Sequence, residues 1–91
     1  MEIEVIKKEK NAIEFKLIGQ RHAFPNLLKK ALLDQKETEF AAYKLMHPLD
    51  KDAIFFLKVK DSEPETVLAK AIKEIVKQAK EFEQEVKKVL G

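Results

Sequence analysis

The stretch SEPETVLAKAIKEIVKQAKEFEQEVKKVL, residues 62–90, decides how the rest of the chain must be arranged. Its apolar residues Leu68, Ile72, Ile75, Ala79, Phe82, Val86 and Val89 follow one another at alternating steps of four and three. That spacing holds one apolar stripe in line along a helix, as in a heptad seam. Ser62 and Glu65 stand three apart, the spacing of a capping box, and Pro64 suits the first turn, where its missing N–H costs little. Lys87 and Lys88 occupy the last turn, where cations suit the negative end of the dipole, and Gly91 follows.

The stripe narrows along the helix. Val67, Ala71 and Val76 flank it in the first half, making a face broad enough to be covered from two sides. Beyond Gln78 the flanks are Lys80, Glu81, Glu83, Gln84, Glu85, Lys87 and Lys88, and only the seam stays apolar. A broad stripe suits packing on a sheet of the same domain, whereas a narrow one suits another helix. A helix of this length spans roughly 40 Å, but a compact domain of this size is only about 31 Å across. The end of the helix should therefore overhang the body. Left in water, Phe82, Val86 and Val89 would each forfeit about 1.5–3 kcal/mol. A second chain is the expected cover; the alternative is a helix that bends back on its own fold or frays after Ala79.

Composition agrees with one small domain over residues 1–91. With 45% hydrophobic and 37% charged residues the chain is expected to be globular. The absence of cysteine excludes disulfides and thiolate metal sites and suits a reducing interior. No apolar run approaches a membrane span, and residues 1–10 lack the apolar core of a signal peptide, so a cytoplasmic protein is expected. A net charge of +2 is small, and the lysines are interleaved with glutamates rather than gathered on one face. Direct nucleic-acid binding is not expected from such a pattern. Lys7, Lys8 and Lys10 make the one local basic cluster and read as a solvated strand end.

From the start, Ile3 and Val5 alternate with Glu2 and Glu4, and Ile13, Phe15 and Leu17 alternate with Glu14 and Lys16. Period two on both sides of a turn near Lys10-Asn11 predicts an antiparallel hairpin with a dry face and a wet face, ended by Gly19. A shorter helix over residues 24–34 follows, with Phe24, Leu27, Leu28, Ala31 and Leu32 on one face and Pro25 in its first turn. Two further strands are predicted over 38–47 and 54–60, around a turn rich in Pro and Asp. The order ββαββα gives an α+β domain, a four-stranded and mostly antiparallel sheet with two helices on one face.

Nothing in the chain reads as an independent active site. Gly19 and Gly91 are the only glycines, so no phosphate-binding loop exists, and the single serine, Ser62, reads as a cap. His22 and His47 are far apart in sequence with no acidic residues at metal-ligand spacing; no metal or cofactor is expected. His22 reads as a hydrogen-bonding residue that fixes the loop before the first helix, His47 as a strand-end residue, and Asp50 and Asp52 as a solvated turn.

Two segments add what periodicity does not. His22-Ala23-Phe24-Pro25-Asn26-Leu27-Leu28, followed by Glu39-Phe40-Ala41-Ala42-Tyr43-Lys44-Leu45-Met46-His47-Pro48-Leu49, resembles the RNA polymerase subunit L family of archaea. That family is similar to the eleventh subunit of eukaryotic RNA polymerase II and to the amino-terminal dimerisation domain of bacterial alpha. The first segment is similar to the family's assembly motif and the second to its Phe-Ala-x-Tyr-x-x-x-His-Pro-Leu signature. The resemblance places the motif on His22, Phe24, Asn26, Leu27 and Leu28, and the signature on Phe40, Ala41, Tyr43, His47, Pro48 and Leu49. Gln20-Arg21 and Ala23 depart from it, replacing a usual acidic pair and a helix-capping threonine; the latter change should cost about 1 kcal/mol unless another group caps the helix.

The resemblance implies an alpha-dimerisation-like fold and a non-catalytic assembly subunit of DNA-directed RNA polymerase. It implies pairing with the polymerase's D subunit through helix faces, as a platform for the large catalytic subunits and for the N and P subunits. The surface expected to meet the partner comprises Phe24, Leu27, Leu28 and Leu32 with the seam residues from Leu68 to Val89, and Leu28, Ile75, Phe82 and Val86 are expected to carry much of the contact. Alone, the same surface allows a homodimer. The competing readings are a stand-alone nucleic-acid-binding domain, marked by steep salt-dependent affinity, and a homodimeric ligand-binding or enzymatic domain, marked by a polar pocket near His22 or His47.

Overall fold

Alternating side chains build the sheet, and the computed structural model, which describes residues 2–91, shows four strands and two helices. They are β1 (Glu2–Lys8), β2 (Ala12–Ile18), α1 (Ala23–Leu33), β3 (Thr38–Lys44), β4 (Ala53–Val59) and α2 (Pro64–Leu90). The strand order is β1-β2-β4-β3, and every neighbouring pair is antiparallel. β2 follows its period of two closely: Ile13, Phe15 and Leu17 are buried, while the residues between them are half-exposed. β4 repeats the pattern with Ala53, Phe55, Leu57 and Val59 inside. Phe15 and Phe55 are register partners, and their rings stack with centroids 5.3 Å apart.

Both helices lie on this apolar face. Leu28, Ala31 and Leu32 of α1 and Val67 and Ala71 of α2 complete one core with the inward residues of β2, β3 and β4. α1 packs against β3 and α2, and α2 reaches β4. An ion pair of 3.0 Å between Lys8 and Glu65 ties the end of β1 to the start of α2.

Several sequence expectations need correction. β3 ends at Lys44 rather than His47, because the chain there turns, with the Asp50 N–H donating to the His47 carbonyl at 3.0 Å. Ser62 is not the cap of α2. Pro64 takes the first helical position and holds Glu63 extended (φ −95°, ψ 138°), so the helix begins one residue later than a cap at Ser62 requires. The Glu63 carbonyl accepts from the N–H groups of Thr66 and Val67, and no side chain caps the helix. In α1 the cap position is His22, with Ala23 already helical, and there too no side chain caps the first turn.

The dry face of the hairpin is only half dry. Ile3 and Val5 pair in register with Leu17 and Phe15 but remain exposed, as does all of β1. The helices do not extend over this edge of the sheet. A bulge between Val5 and Lys7, with Lys7 and Lys8 beyond it, guards the edge against strand addition.

α2 outruns the body. Its buried residues are Pro64, Val67 and Ala71, and from Val76 onward all of its residues are exposed. The radius of gyration is 14.6 Å, against the roughly 12 Å of a compact chain of this length. The longest dimension is 48 Å. Gly91 ends the helix with φ 89°, its N–H bonded to the Lys87 carbonyl at 3.0 Å.

Candidate functional site

The wide first half of the α2 stripe is divided between two directions. Val67 and Ala71 face the chain's own sheet, and Leu68 and Ile75 pack partly against the same core. Ile72 and Val76, on the flank away from it, are exposed. Past Ile75 there is no body left to cover the seam. Phe82 is 72% exposed and Val89 80%, with Ala79, Val86 and Leu90 also open to solvent. The helix continues through these positions with neither a break nor a return. Charged neighbours support it: Lys87 and Glu83, one turn apart, form an ion pair at 3.2 Å.

α1 contributes less to this surface than its periodicity suggests. Leu28 and Leu32 are enclosed in the chain's own core, and Phe24 packs partly against it. A stripe seen in sequence does not say which neighbour covers it, and here β3 and α2 do. Leu28 and Leu32 are thereby removed from the set free to meet a partner, which keeps Leu27 and gains Leu33. Leu28→Ala should lower the unfolding free energy by about 2–5 kcal/mol, read from urea titration, while leaving the affinity of the folded chain for a partner nearly unchanged. A large loss of affinity without loss of stability would return Leu28 to the contact surface.

At one end of the sheet the two motif segments meet. The His22 ring and the Tyr43 hydroxyl share a hydrogen bond of 3.1 Å (Nδ1 to Oη), with the rings edge to face. The Arg21 guanidinium donates to the Pro48 carbonyl at 2.8 Å. The Asp52 carboxylate accepts from the Gly19 N–H at 2.7 Å, and that of Asp50 from the His47 N–H at 2.9 Å. Gly19 has φ 78°, a backbone conformation that costs glycine little. Asp50 and Asp52 are thus clamps between and within loops rather than a merely solvated turn. Asp52→Ala should cost about 1 kcal/mol, seen as a lower urea midpoint at unchanged slope; an unchanged midpoint would show that the clamp contributes nothing.

Around the clamps Asn26, Met46, His47, Pro48 and Leu49 are exposed, Leu49 at 91%. Phe40 projects from the outer face of the sheet, beside Lys58 in register and away from this end. Local sequence gives no sign of the roles of Arg21, Asp50 and Asp52. Their partners lie 27 residues away for Arg21 and 33 for Asp52, or within a tight turn for Asp50.

Chemistry is sparse. Among the described residues no three His, Asp or Glu side chains gather as a metal site. An open depression of about 660 Å³ lies among Lys8, Asn11, Asp61 and Glu65, away from His22 and His47. The Lys7 ammonium, hydrogen-bonded to Glu9 at 3.0 Å, is held above its usual range, and it too lies apart from the motif end. No described helix is long and apolar enough to cross a membrane.

An exposed apolar rod on a small α+β body is the geometry of a pairing domain, and residues 12–85 match the RNA polymerase Rpb3/Rpb11 dimerisation domain. The chain belongs to this family. The Rpb3/Rpb11-type domain accounts for most of its length. It is 44% identical over 84 residues to DNA-directed RNA polymerase subunit Rpo11 of Pyrococcus furiosus, covering 89% of this chain and 88% of that one. The Rpo11 subunit of Sulfolobus acidocaldarius is 40% identical over 90 residues, covering 98% of this chain and 100% of the relative. The crystal structure of DNA-directed RNA polymerase subunit L from Thermoplasma acidophilum superposes with a TM-score of 0.85, covering 96% of this chain and 86% of that one. At 23% identity that likeness speaks for the fold: the Rpb3/Rpb11-type sheet and long terminal helix.

Proposed function

We propose that this chain is the L subunit of an archaeal DNA-directed RNA polymerase, a non-catalytic assembly subunit acting in the cytoplasm. It pairs with the D subunit through the exposed seam of α2, and the pair is the platform on which the large catalytic subunits and the N and P subunits gather. The observation that carries this reading is the overhanging helix, whose Ala79, Phe82, Val86 and Val89 stay apolar where nothing of this chain shelters them. Burying Phe82, Val86 and Val89 against a partner recovers about 1.5–3 kcal/mol each. That is a fair fraction of the free energy of a specific pair, about 12 kcal/mol at nanomolar affinity.

The motif end, with exposed Met46, His47, Pro48 and Leu49 held in shape by the Arg21, Asp50 and Asp52 hydrogen bonds, is assigned to contact with the large subunits. It lies at the end of the sheet, so pairing and docking use different parts of the molecule. The relatives' names, both subunits of DNA-directed RNA polymerase, support the same role. Catalysis is left to other subunits.

Co-expression with a D subunit, followed by size-exclusion chromatography, tests the reading. A single peak containing both chains in equal amounts is expected. Separate elution of two well-folded chains would overturn it.

A further inference from the structure

The sheet has a second face, turned away from both helices and from the core they complete. Residues directly opposite one another in an antiparallel pair point to the same face. Phe40, Ala42 and Lys44 of β3 therefore stand there beside Lys58, Phe56 and Ile54 of β4, with Ala12, Glu14 and Lys16 of β2 continuing the three rows. Phe40 and Phe56 are 53% and 41% exposed, and neither contributes to the chain's own core. With half-buried Ala42 and Ile54 they make one apolar track that runs obliquely over β3 and β4. An open depression of about 360 Å³ lies beside the track, bounded by Phe56, Ala12, Lys7, Glu14 and Lys58. Lys44 and Lys16 flank Ile54 in register on either side. Among the described residues neither of these lysines is held in an ion pair, whereas Lys58 is paired with Glu39 at 3.7 Å and Glu14 faces Lys7 across β1 and β2. The charge left free at the Ile54 end of the track is positive.

We propose that this outer face is a docking site for an acidic amphipathic helix of another protein. One large apolar side chain of that helix enters the depression beside Phe56, and its acidic side chains meet Lys16 and Lys44. The face lies across the sheet from α2, so the inference is independent of the pairing proposed above. Size fits: from the row of Phe40 to the row of Ile54 is about 14 Å along the strands, and anchors at i, i+4 and i+7 of a helix cover about 10.5 Å. An aromatic centre inside a charged border is the composition of a protein contact. Single-stranded nucleic acid also stacks on exposed rings. Here, however, Glu14 stands opposite Phe56, and Glu39 precedes Phe40 and neutralises Lys58, so a phosphate backbone crossing the rings would meet carboxylates.

A displayed library of random peptides, selected on the full chain and counter-selected on its Phe56→Glu variant, tests the site. The counter-selection discards peptides that bind the exposed seam of α2, which both proteins carry. The retained sequences should be acidic overall, with large apolar residues four apart. A synthetic peptide of the retained sequence should bind Phe56→Glu at least about tenfold more weakly, the loss expected for an aromatic anchor. Lys44→Glu, which alters charge alone, should weaken it about three- to fivefold. In amide shift mapping the peptide should move Phe40, Ala42, Ile54 and Phe56 most. Circular dichroism of both variants checks that the fold is kept. Retention of no sequence that distinguishes the parent from Phe56→Glu would overturn the site, as would shifts confined to the helix side of the sheet. Basic sequences, or apolar residues at alternate positions, would overturn the acidic helix as occupant. Binding of a fifteen-nucleotide oligothymidylate that Phe56→Glu abolishes would overturn it in favour of single-stranded nucleic acid.

Discussion

Replacing Phe82 by aspartate is expected to abolish pairing with the D subunit while leaving the isolated fold intact. Phe82 is 72% exposed and touches no part of the core, so the body loses nothing when its ring is removed. Helical structure tolerates the change, since one aspartate in a long charged helix costs well under about 1 kcal/mol. At the seam the consequence is different. The contact loses an aromatic anchor, and the new carboxylate must either be buried without a partner or hold the helices apart. A loss of at least about 2.7 kcal/mol follows, or a hundredfold weaker affinity. Isothermal titration against the D subunit measures the affinity, and circular dichroism of the chain alone checks the fold. Undiminished binding would show that the seam is not the contact.

Phe55→Ala should do the opposite and damage the fold itself. Phe55 is fully buried in a central strand, stacked on Phe15 and surrounded by the core that α1 and α2 complete. Removing its ring leaves a cavity that a sheet pinned on both sides closes poorly, at a cost of about 3–5 kcal/mol. Domains of this size have some 5–15 kcal/mol in hand. At about 4–8 °C per kcal/mol, the thermal midpoint should fall by roughly 12–40 °C. A midpoint within a few degrees of the parent would contradict the packing of the sheet. The two substitutions separate folding from assembly: one removes the partner and spares the body, the other weakens the body and affects the partner only through it.

Much of this arrangement is legible in the residues themselves. β2 and β4 alternate so regularly that their buried faces follow from the sequence alone, and the four-three spacing from Leu68 to Val89 already announces a helix longer than its domain. What local pattern cannot convey is which neighbour covers an apolar stripe. Leu28 and Leu32 read as contact residues and are core, whereas Ile3 and Val5 read as the dry side of a hairpin and are bare. Both misreadings come from tertiary arrangement: β3 and α2 enclose α1, and the strand order β1-β2-β4-β3 leaves Ile3 and Val5 of the edge strand β1 without cover from the helices. The cap at Ser62 fails for a local reason, the extended backbone that Pro64 imposes on Glu63.

The motif end shows the same division. His22 reads as a loop-fixing residue, and its hydrogen bond to Tyr43 is of that kind. The identity of its partner, 21 residues away, is settled by the fold. The aspartates look like ordinary turn residues until the sheet brings Asp52 against Gly19. The resemblance to the subunit L family spans the two segments in sequence, and the structure joins them in space.

Hydrogen–deuterium exchange of the amides from Lys77 to Leu90 tests the central claim most directly. In the dilute free chain this overhang has no tertiary cover and should exchange quickly. In the heterodimer with the D subunit the same amides should slow by at least about a hundredfold, as expected for groups that open only when the pair comes apart. Equal exchange in the free and paired chain would contradict the account, because the apolar end of α2 would then have no need of a second chain.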